Sequence, residues 1–127
     1  MQFKAQTRYI WYSPYKLRLL ADVIRGKDVV SAMQWLSMYK VKRTVPVYKT
    51  LKSAVANAKD RENHEPRDLV VAEVRVDQGP IRHYFKPGAQ GRSVPLRARQ
   101  SHITIVVAPR TDVEKTKNKK NKLAKEA

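Results

Sequence analysis

The chain has 127 residues, enough for one ordinary domain with a modest core and too few for two independent cores. Its 27 Lys and Arg against 11 Asp and Glu give a formal net charge of +16, which indicates a polyanionic partner, above all nucleic acid. Disulfides, thiolate catalysis and a membrane span are excluded, because there is no Cys and no apolar run near the roughly 18 residues that cross a bilayer.

The first elements that the sequence predicts are a strand and a helix. Residues 3–9 alternate in polarity, the pattern of a half-buried strand with its inner side at Phe3, Ala5, Thr7 and Tyr9. Ser13 is a good N-cap and Pro14 suits the first helical position, so a helix begins there. Its apolar face consists of Leu17, Leu20, Ala21 and Ile24. Arg25 and Gly26 predict its end, since a cation suits the last turn and glycine enters the left-handed region.

Two more helices follow. The second begins at the Asp28 cap, and its inward positions are Val29, Ala32, Met33 and Leu36. The third has an apolar stripe formed by Val47, Leu51, Ala54, Val55 and Ala58, and a separate basic side formed by Lys49, Lys52 and Lys59. Because proline is tolerated only in a first turn, this helix begins near residues 43–45, or it begins earlier and bends at Pro46. Residues 60–68 are polar, contain Pro66 and predict a surface loop.

A strand pair with a long hairpin is predicted for the C-terminal half. Alternation returns at residues 70–77, where Val70, Ala72, Val74 and Val76 share one side, and at residues 102–107, where Ile103, Ile105 and Val107 face inward. The stretch between them, residues 79–100, has no acid and contains Arg82, Lys86, Arg92, Arg97 and Arg99. Pro87, Gly88 and Gly91 mark its turn. Arms of roughly ten to twelve residues would project about 35 to 40 Å, and so basic a ribbon needs a partner to order it fully.

This pattern favours one domain at residues 1–109, with the hairpin at about 77–102, followed by a tail at 110–127. The tail is rich in Lys and Asn without an apolar face, and we expect it to be disordered when free. The N-terminus has no apolar signal-peptide core, so a cytoplasmic protein is expected.

The sequence offers no catalytic constellation, and we expect neither an enzyme nor a metal or cofactor site. His64, His83 and His102 lack the spacing of a metal site. Ser101, His102 and Asp77 make an unlikely triad, because neighbouring strand residues point to opposite faces. Gly88, Gly91 and Arg92 resemble a phosphate cradle only weakly, since the P-loop lysine and its helix are missing.

Aromatic residues fall into two groups. Those near the first helix are Tyr9, Trp11, Tyr12 and Tyr15, and packing is the favoured role for most of them over stacking on bases. Tyr84 and Phe85 lie on a ribbon without a core beneath it, so stacking on RNA is at least as good an interpretation there. The basic side of the third helix is open to two interpretations of equal weight, a solvated surface or a phosphate contact.

Three segments resemble the universal large-subunit ribosomal protein family twenty-two, in its bacterial type. They are SPYKLRLLADVIRGKDV at 13–29, LKSAVANAKD at 51–60, and VDQGPIRHYFKPGAQGRS with RQSHITIVV between 76 and 107. The resemblance implies an α+β fold with a small three-stranded antiparallel sheet packed against three helices and a long protruding hairpin. It also implies a structural role in the large ribosomal subunit, with the hairpin threaded through ribosomal RNA and its tip in the wall of the nascent-peptide exit tunnel.

Site residues follow from the pattern and the resemblance together. Lys16, Arg18, Arg25, Lys27, Arg92 and His102 match positions of the family's motifs. The predicted RNA-binding residues are Lys16, Arg18, Arg25, Lys27, Lys49, Lys52, Arg82, His83, Tyr84, Lys86, Arg92, Arg97, Arg99 and His102. The predicted tunnel tip is Pro87, Gly88, Ala89, Gln90, Gly91 and Arg92. The expected partners are large-subunit ribosomal RNA, neighbouring large-subunit proteins and, transiently, the nascent peptide, without a membrane or a homo-oligomer.

The alternative hypothesis is a DNA-bending architectural protein. In that class a basic ribbon follows the minor groove while an apolar residue such as Pro95 or Leu96 wedges between base pairs. Charge alone does not separate the two, because both kinds of binding weaken with salt.

Overall fold

The computed structural model describes residues 1–111, so the predicted tail lies outside it apart from residues 110 and 111. The three helices are α1 (Pro14–Ile24), α2 (Val29–Met38) and α3 (Thr44–Glu62). The three strands are β1 (Phe3–Ile10), β2 (Leu69–Pro87) and β3 (Ser93–Pro109), with short 3-10 turns at Pro66–Asp68 and Ala89–Gly91. They form one antiparallel sheet in the order β1-β3-β2. The expected α+β fold is therefore confirmed.

One core joins the helices to the sheet. The predicted stripes of α1 and α3 and the inward positions of β3 are all buried, while Met33 of α2 is partly buried at the edge of the core. Each fully buried aliphatic side chain contributes about 1.5 to 3 kcal/mol. Two polar contacts fasten β1 to α3: the hydroxyls of Thr7 and Thr50 lie 2.7 Å apart, and Asn57 donates to the Lys4 carbonyl at 3.1 Å.

Helix α3 begins at Thr44, so Pro46 lies in its first turn as one of the two predictions required. The predicted loop at 60–68 is wrong at its start, because the helix continues through Glu62. Asn63 ends it in the left-handed conformation with φ 57°. Among the described residues, no helix is long and apolar enough to cross a membrane.

Strand β1 contains a bulge that the alternation did not predict. Thr7 pairs with Ile103, whereas Ile10 pairs with Ser101, so the strand has one more residue than its partner between these pairs. Tyr9 takes φ 57° and is 58% exposed, and Ile10 occupies the core at 7% exposure. The predicted inner position of Tyr9 is therefore wrong.

A second bulge divides β2. Val71 pairs with Val107 and Glu73 with Val106, which leaves Ala72 as the extra residue. Leu69 and Val71 reach the core before the bulge, and Val74 and Val76 reach it afterwards. The prediction that one side of the strand is formed by Val70, Ala72, Val74 and Val76 holds only beyond the bulge. The turn between α1 and α2 also contacts this segment of β2. The Gly26 N–H donates to the Val71 carbonyl, and the Val71 N–H donates to the Lys27 carbonyl, both at 2.9 Å.

The predicted hairpin is confirmed, with shorter projecting arms than expected. The exposed pairs run from Ile81 opposite Arg99 to Pro87 opposite Ser93, about 20 to 25 Å. The inner ends are buried against the body, because Gly79 is buried and Gln100 is 2% exposed. A Cβ at position 79 would lie 3.1 Å from the Gln100 carbonyl carbon, closer than most Cβ contacts, so a larger residue would have to displace Gln100 slightly.

Candidate nucleic-acid interface

The hairpin presents cations and apolar side chains on both of its faces. Directly opposed residues of an antiparallel pair share a face, and opposed pairs alternate between faces along the arms. One face carries the pairs Arg82–Ala98, Tyr84–Leu96 and Lys86–Val94, and the other carries Ile81–Arg99, His83–Arg97 and Phe85–Pro95. Nearly all of these side chains are exposed, and no acid lies between residues 79 and 100. The ribbon is thus a surface for a polyanion that also has flat or apolar parts.

The tip is a closed loop of defined geometry. The Gly88 N–H donates to the Arg92 carbonyl at 2.7 Å, and the Arg92 N–H donates to the Ala89 carbonyl at 3.3 Å. Gln90 and Gly91 both take positive φ, 56° and 70°, which turns the chain through its tightest point. The six predicted tip residues therefore lie together at the end of the hairpin, all of them exposed.

The cations predicted on and after α1 are all exposed, and two of them also hold the helix to the sheet. Arg18 donates to the Val76 carbonyl at 3.2 Å, and Arg25 donates to the Val74 carbonyl at 3.0 Å. Arg25 also pairs with Asp22 at 2.7 Å, so its charge is partly neutralised within the protein. Lys16 and Lys27 have no ion pair among residues 1–111 and are the freer cations of this group.

Lys49 and Lys52 belong to a different part of the surface. With Lys40 and Lys42 they border a groove of about 630 Å³ between the end of α2 and the start of α3. Its apolar lining includes Leu36, Tyr39, Val41, Val45 and Tyr48. The hairpin is built from β2 and β3, so these lysines form a second basic region on the protein body.

His102 is half-buried and contacts the β1 bulge. Its Nδ1 accepts a hydrogen bond from the Tyr9 N–H at 3.0 Å, and the two rings meet edge to face at 4.9 Å. This side chain therefore helps to hold the bulge that exposes Tyr9. Its neighbour Ser101 is buried, and Ser101 Oγ has no hydrogen-bond partner within the described part of the chain. The Ser101–His102–Asp77 triad consequently does not form.

Asp28 does not cap α2 through its side chain, contrary to the prediction. Its carboxylate instead pairs with Arg110 at 2.6 Å. Over residues 1–111, no group of three or more His, Cys, Asp or Glu side chains is placed to hold a metal ion.

The expectation that most of the four aromatic residues near α1 serve packing is wrong. Tyr9, Trp11 and Tyr15 are 58%, 56% and 66% exposed, while Tyr12 does pack against the core. The Arg82 guanidinium lies over the Trp11 ring, 4.9 Å from its centroid, and Arg18 lies 5.4 Å from the centroid of Tyr15. The available signal was weak: Trp11 falls between the strand and the helix and matches the period of neither.

Comparison with known proteins finds a matching family model and similar proteins that cover most of the chain. The sequence model of the family described as Ribosomal protein L22p/L17e matches residues 5–108, which include all three helices, the whole hairpin and all but the outer ends of β1 and β3. A large ribosomal subunit protein uL22 from Synechococcus sp. (strain JA-2-3B'a(2-13)) is 44% identical over 113 residues, 89% of this chain and 91% of the relative. The protein of the same name from Magnetococcus marinus is 47% identical over 109 residues, 86% of this chain and 96% of the relative.

Proposed function

The chain belongs to the Ribosomal protein L22p/L17e family, and from this membership we propose that it binds large-subunit ribosomal RNA and aids subunit assembly, with its hairpin tip in the wall of the nascent-peptide exit tunnel. Its general role is that of a structural constituent of the large ribosomal subunit, in the cytoplasm. The role is structural and involves no reaction.

The hairpin is the observation that carries the proposal. A two-stranded ribbon is marginal alone in water, and this one exposes Tyr84 at 48% and Phe85 at 73% beside five exposed cations. Enclosure by folded RNA supplies what the ribbon lacks: phosphates oppose the cations, and bases or riboses cover the apolar side chains. Neutralised phosphates repel each other less, which favours compact packing of the RNA strands around the protein.

We propose different roles for the body of the domain and for its hairpin. Residues 1–109 form the single domain, with the hairpin at about 77–102 and a basic tail beyond. The proposed phosphate ligands on the body are Lys16, Arg18, Arg25, Lys27, Lys49 and Lys52, with His102 at the foot of the hairpin. The tip loop, 87–92, meets the transient nascent peptide, and neighbouring large-subunit proteins complete the set of partners.

The position of Pro95 and Leu96 argues against the DNA-bending alternative. These residues lie opposite Phe85 and Tyr84 within the arms, whereas the end of the ribbon is formed by small and polar residues at 88–92. A wedge has to stand where the ribbon meets the base step. Affinity for duplex DNA and for large-subunit RNA should be compared at matched salt, and preference for the duplex would restore the alternative.

A shortened hairpin tests the tunnel placement. Residues 85–95 are replaced by Asn-Gly, which joins the opposed Tyr84 and Leu96 through a two-residue turn and leaves the core intact. The full-length control, Gln90→Asn, changes the tip by one methylene. We expect both proteins to co-sediment with large subunits through a moderate salt wash.

Electron cryomicroscopy of the purified subunits then compares the tunnels. The shortened protein should widen the tunnel where the tip stood, and Gln90→Asn should not. An unchanged tunnel would refute the placement of the tip, whereas loss of the full-length protein in the wash would refute stable membership of the subunit.

A further inference from the structure

A small aromatic patch lies where the hairpin leaves the body. We define it as two ring–cation pairs, Trp11 with Arg82 and Tyr15 with Arg18. Trp11 follows β1, Tyr15 lies in the first turn of α1, and Arg82 reaches Trp11 from the hairpin. Both rings therefore have a guanidinium beside them, and both remain more than half exposed.

Packing against the core does not explain why Trp11 and Tyr15 are aromatic. A Trp or Tyr that served the core would bury most of its surface, as Tyr12 does in the same segment. Trp11 and Tyr15 instead keep 56% and 66% of their surface in solvent. Each ring has a guanidinium over it and still keeps more than half of its surface open to a ligand. The arrangement is that of a stacking site whose rings are already positioned.

The chemistry of the patch selects its ligand. Flat, electron-rich rings bind flat heterocycles, and the adjacent cations attract phosphates, so the combined ligand is a nucleotide with an unstacked base. Paired bases within an RNA helix present their edges and not their faces, which limits the ligand to a loop, a bulge or a strand end. We propose that Trp11 and Tyr15 stack on unpaired bases of the large-subunit RNA, an inference that rests on the RNA binding proposed above.

A base bound at the patch would also affect the orientation of the hairpin relative to the body. Arg82 lies on the same face of the ribbon as Tyr84 and Lys86. Its guanidinium contacts Trp11 of the body, and a base bound there holds that contact in place. One stacked nucleotide therefore fixes the angle at which the ribbon enters the RNA.

Fluorescence of Trp11 is the direct readout. The chain has two tryptophans, and the other, Trp35, stacks on Tyr39 with ring centroids 5.0 Å apart. In full-length Trp35→Phe protein, emission reports Trp11 alone. Titration with transcribed large-subunit RNA should quench this emission, because a base stacked on indole provides a route for energy loss that a phosphate contact does not.

Affinity variants provide the second readout. Trp11→Leu should weaken RNA binding roughly 5- to 150-fold, the range for loss of one stacked base. Its salt dependence should not change, because no phosphate contact is removed. Trp11→Phe should restore most of the affinity. The control is Met38→Ala, which removes an apolar side chain 79% exposed outside both the patch and the groove and should bind as the parent does. Circular dichroism and thermal melting establish that each variant is folded.

The outcomes separate this inference from the proposed function. If the parent binds RNA while Trp11→Leu binds equally well, or while Trp11 emission does not change, base stacking at the patch is wrong and RNA binding stands. If the parent itself does not bind large-subunit RNA, both are wrong.

Discussion

Lys86, Arg92, Arg97 and Arg99 of the hairpin allow a quantitative test of phosphate binding. All four are exposed, and no carboxylate lies on the ribbon to compete for them. Each cation that neutralises a phosphate changes the slope of log affinity against log salt by about 0.7 to 0.9. Replacing all four with Gln should therefore make the slope shallower by about 2.8 to 3.6. Arg82 is left unchanged because it contacts Trp11.

The control is a pair of arginines that already have carboxylate partners. Arg75 lies 2.9 Å from Glu73, and Arg110 lies 2.6 Å from Asp28. Because these pairs are more than 40% exposed, they add little to stability, and Gln at both positions should leave the fold intact. Filter binding of large-subunit RNA over a series of salt concentrations gives both slopes. A change below about 1 for the four hairpin substitutions, or an equal change per residue for the control pair, would refute hairpin phosphate binding.

Three stability predictions follow from the fold, each measured by urea denaturation of the full-length protein. Gly79→Ala should lower the free energy of unfolding by about 1 to 3 kcal/mol, because its Cβ presses on Gln100, and an unchanged midpoint would mean that the hairpin base is loosely packed. Ser101→Ala should be neutral or stabilising within about 1 kcal/mol, since the hydroxyl that it removes is buried without a described partner; a loss above about 2 kcal/mol would reveal a bond that this structure lacks. Ile10→Ala should cost about 2 to 5 kcal/mol and Tyr9→Ala less than about 1 kcal/mol, and the reverse order would contradict the β1 bulge.

The helices could be predicted because their burial is one-sided and local. In α1 and α3 every apolar residue of the predicted stripe is buried, and the start of α1 follows from the stereochemistry of Pro14. For α3, Pro46 allowed two starts, and the structure has the later one. The hairpin could be predicted because Pro87, Gly88 and Gly91 mark a turn midway between two segments of strand-like alternation.

The bulges could not be predicted, because they depend on pairing between distant parts of the chain. The extra residue at Ala72 is defined only against Val106 and Val107 of β3, and local alternation is almost the same with or without it. In β1, the extra residue of the other bulge places Tyr9 at the surface and not in the predicted core.

The candidate interface was only partly readable from sequence for the same reason. The hairpin cations could be selected because the whole ribbon is basic. The contact between Trp11 and Arg82 joins two segments far apart in sequence, so a pattern within either segment does not reveal it. Likewise, the carbonyl partners of Arg18 and Arg25 depend on how α1 packs on β2.

The strand order β1-β3-β2 also determines when the sheet can form during translation. The first strand made pairs only with the last one, so the backbone of β1 has no strand partner until residues 101–107 have been synthesised. The helices consist of local contacts and are available much earlier, whereas sheet closure waits for nearly complete translation. A nascent chain stalled before residue 101 would carry β1 with its backbone N–H and C=O groups unpaired by a strand, a natural substrate for a chaperone.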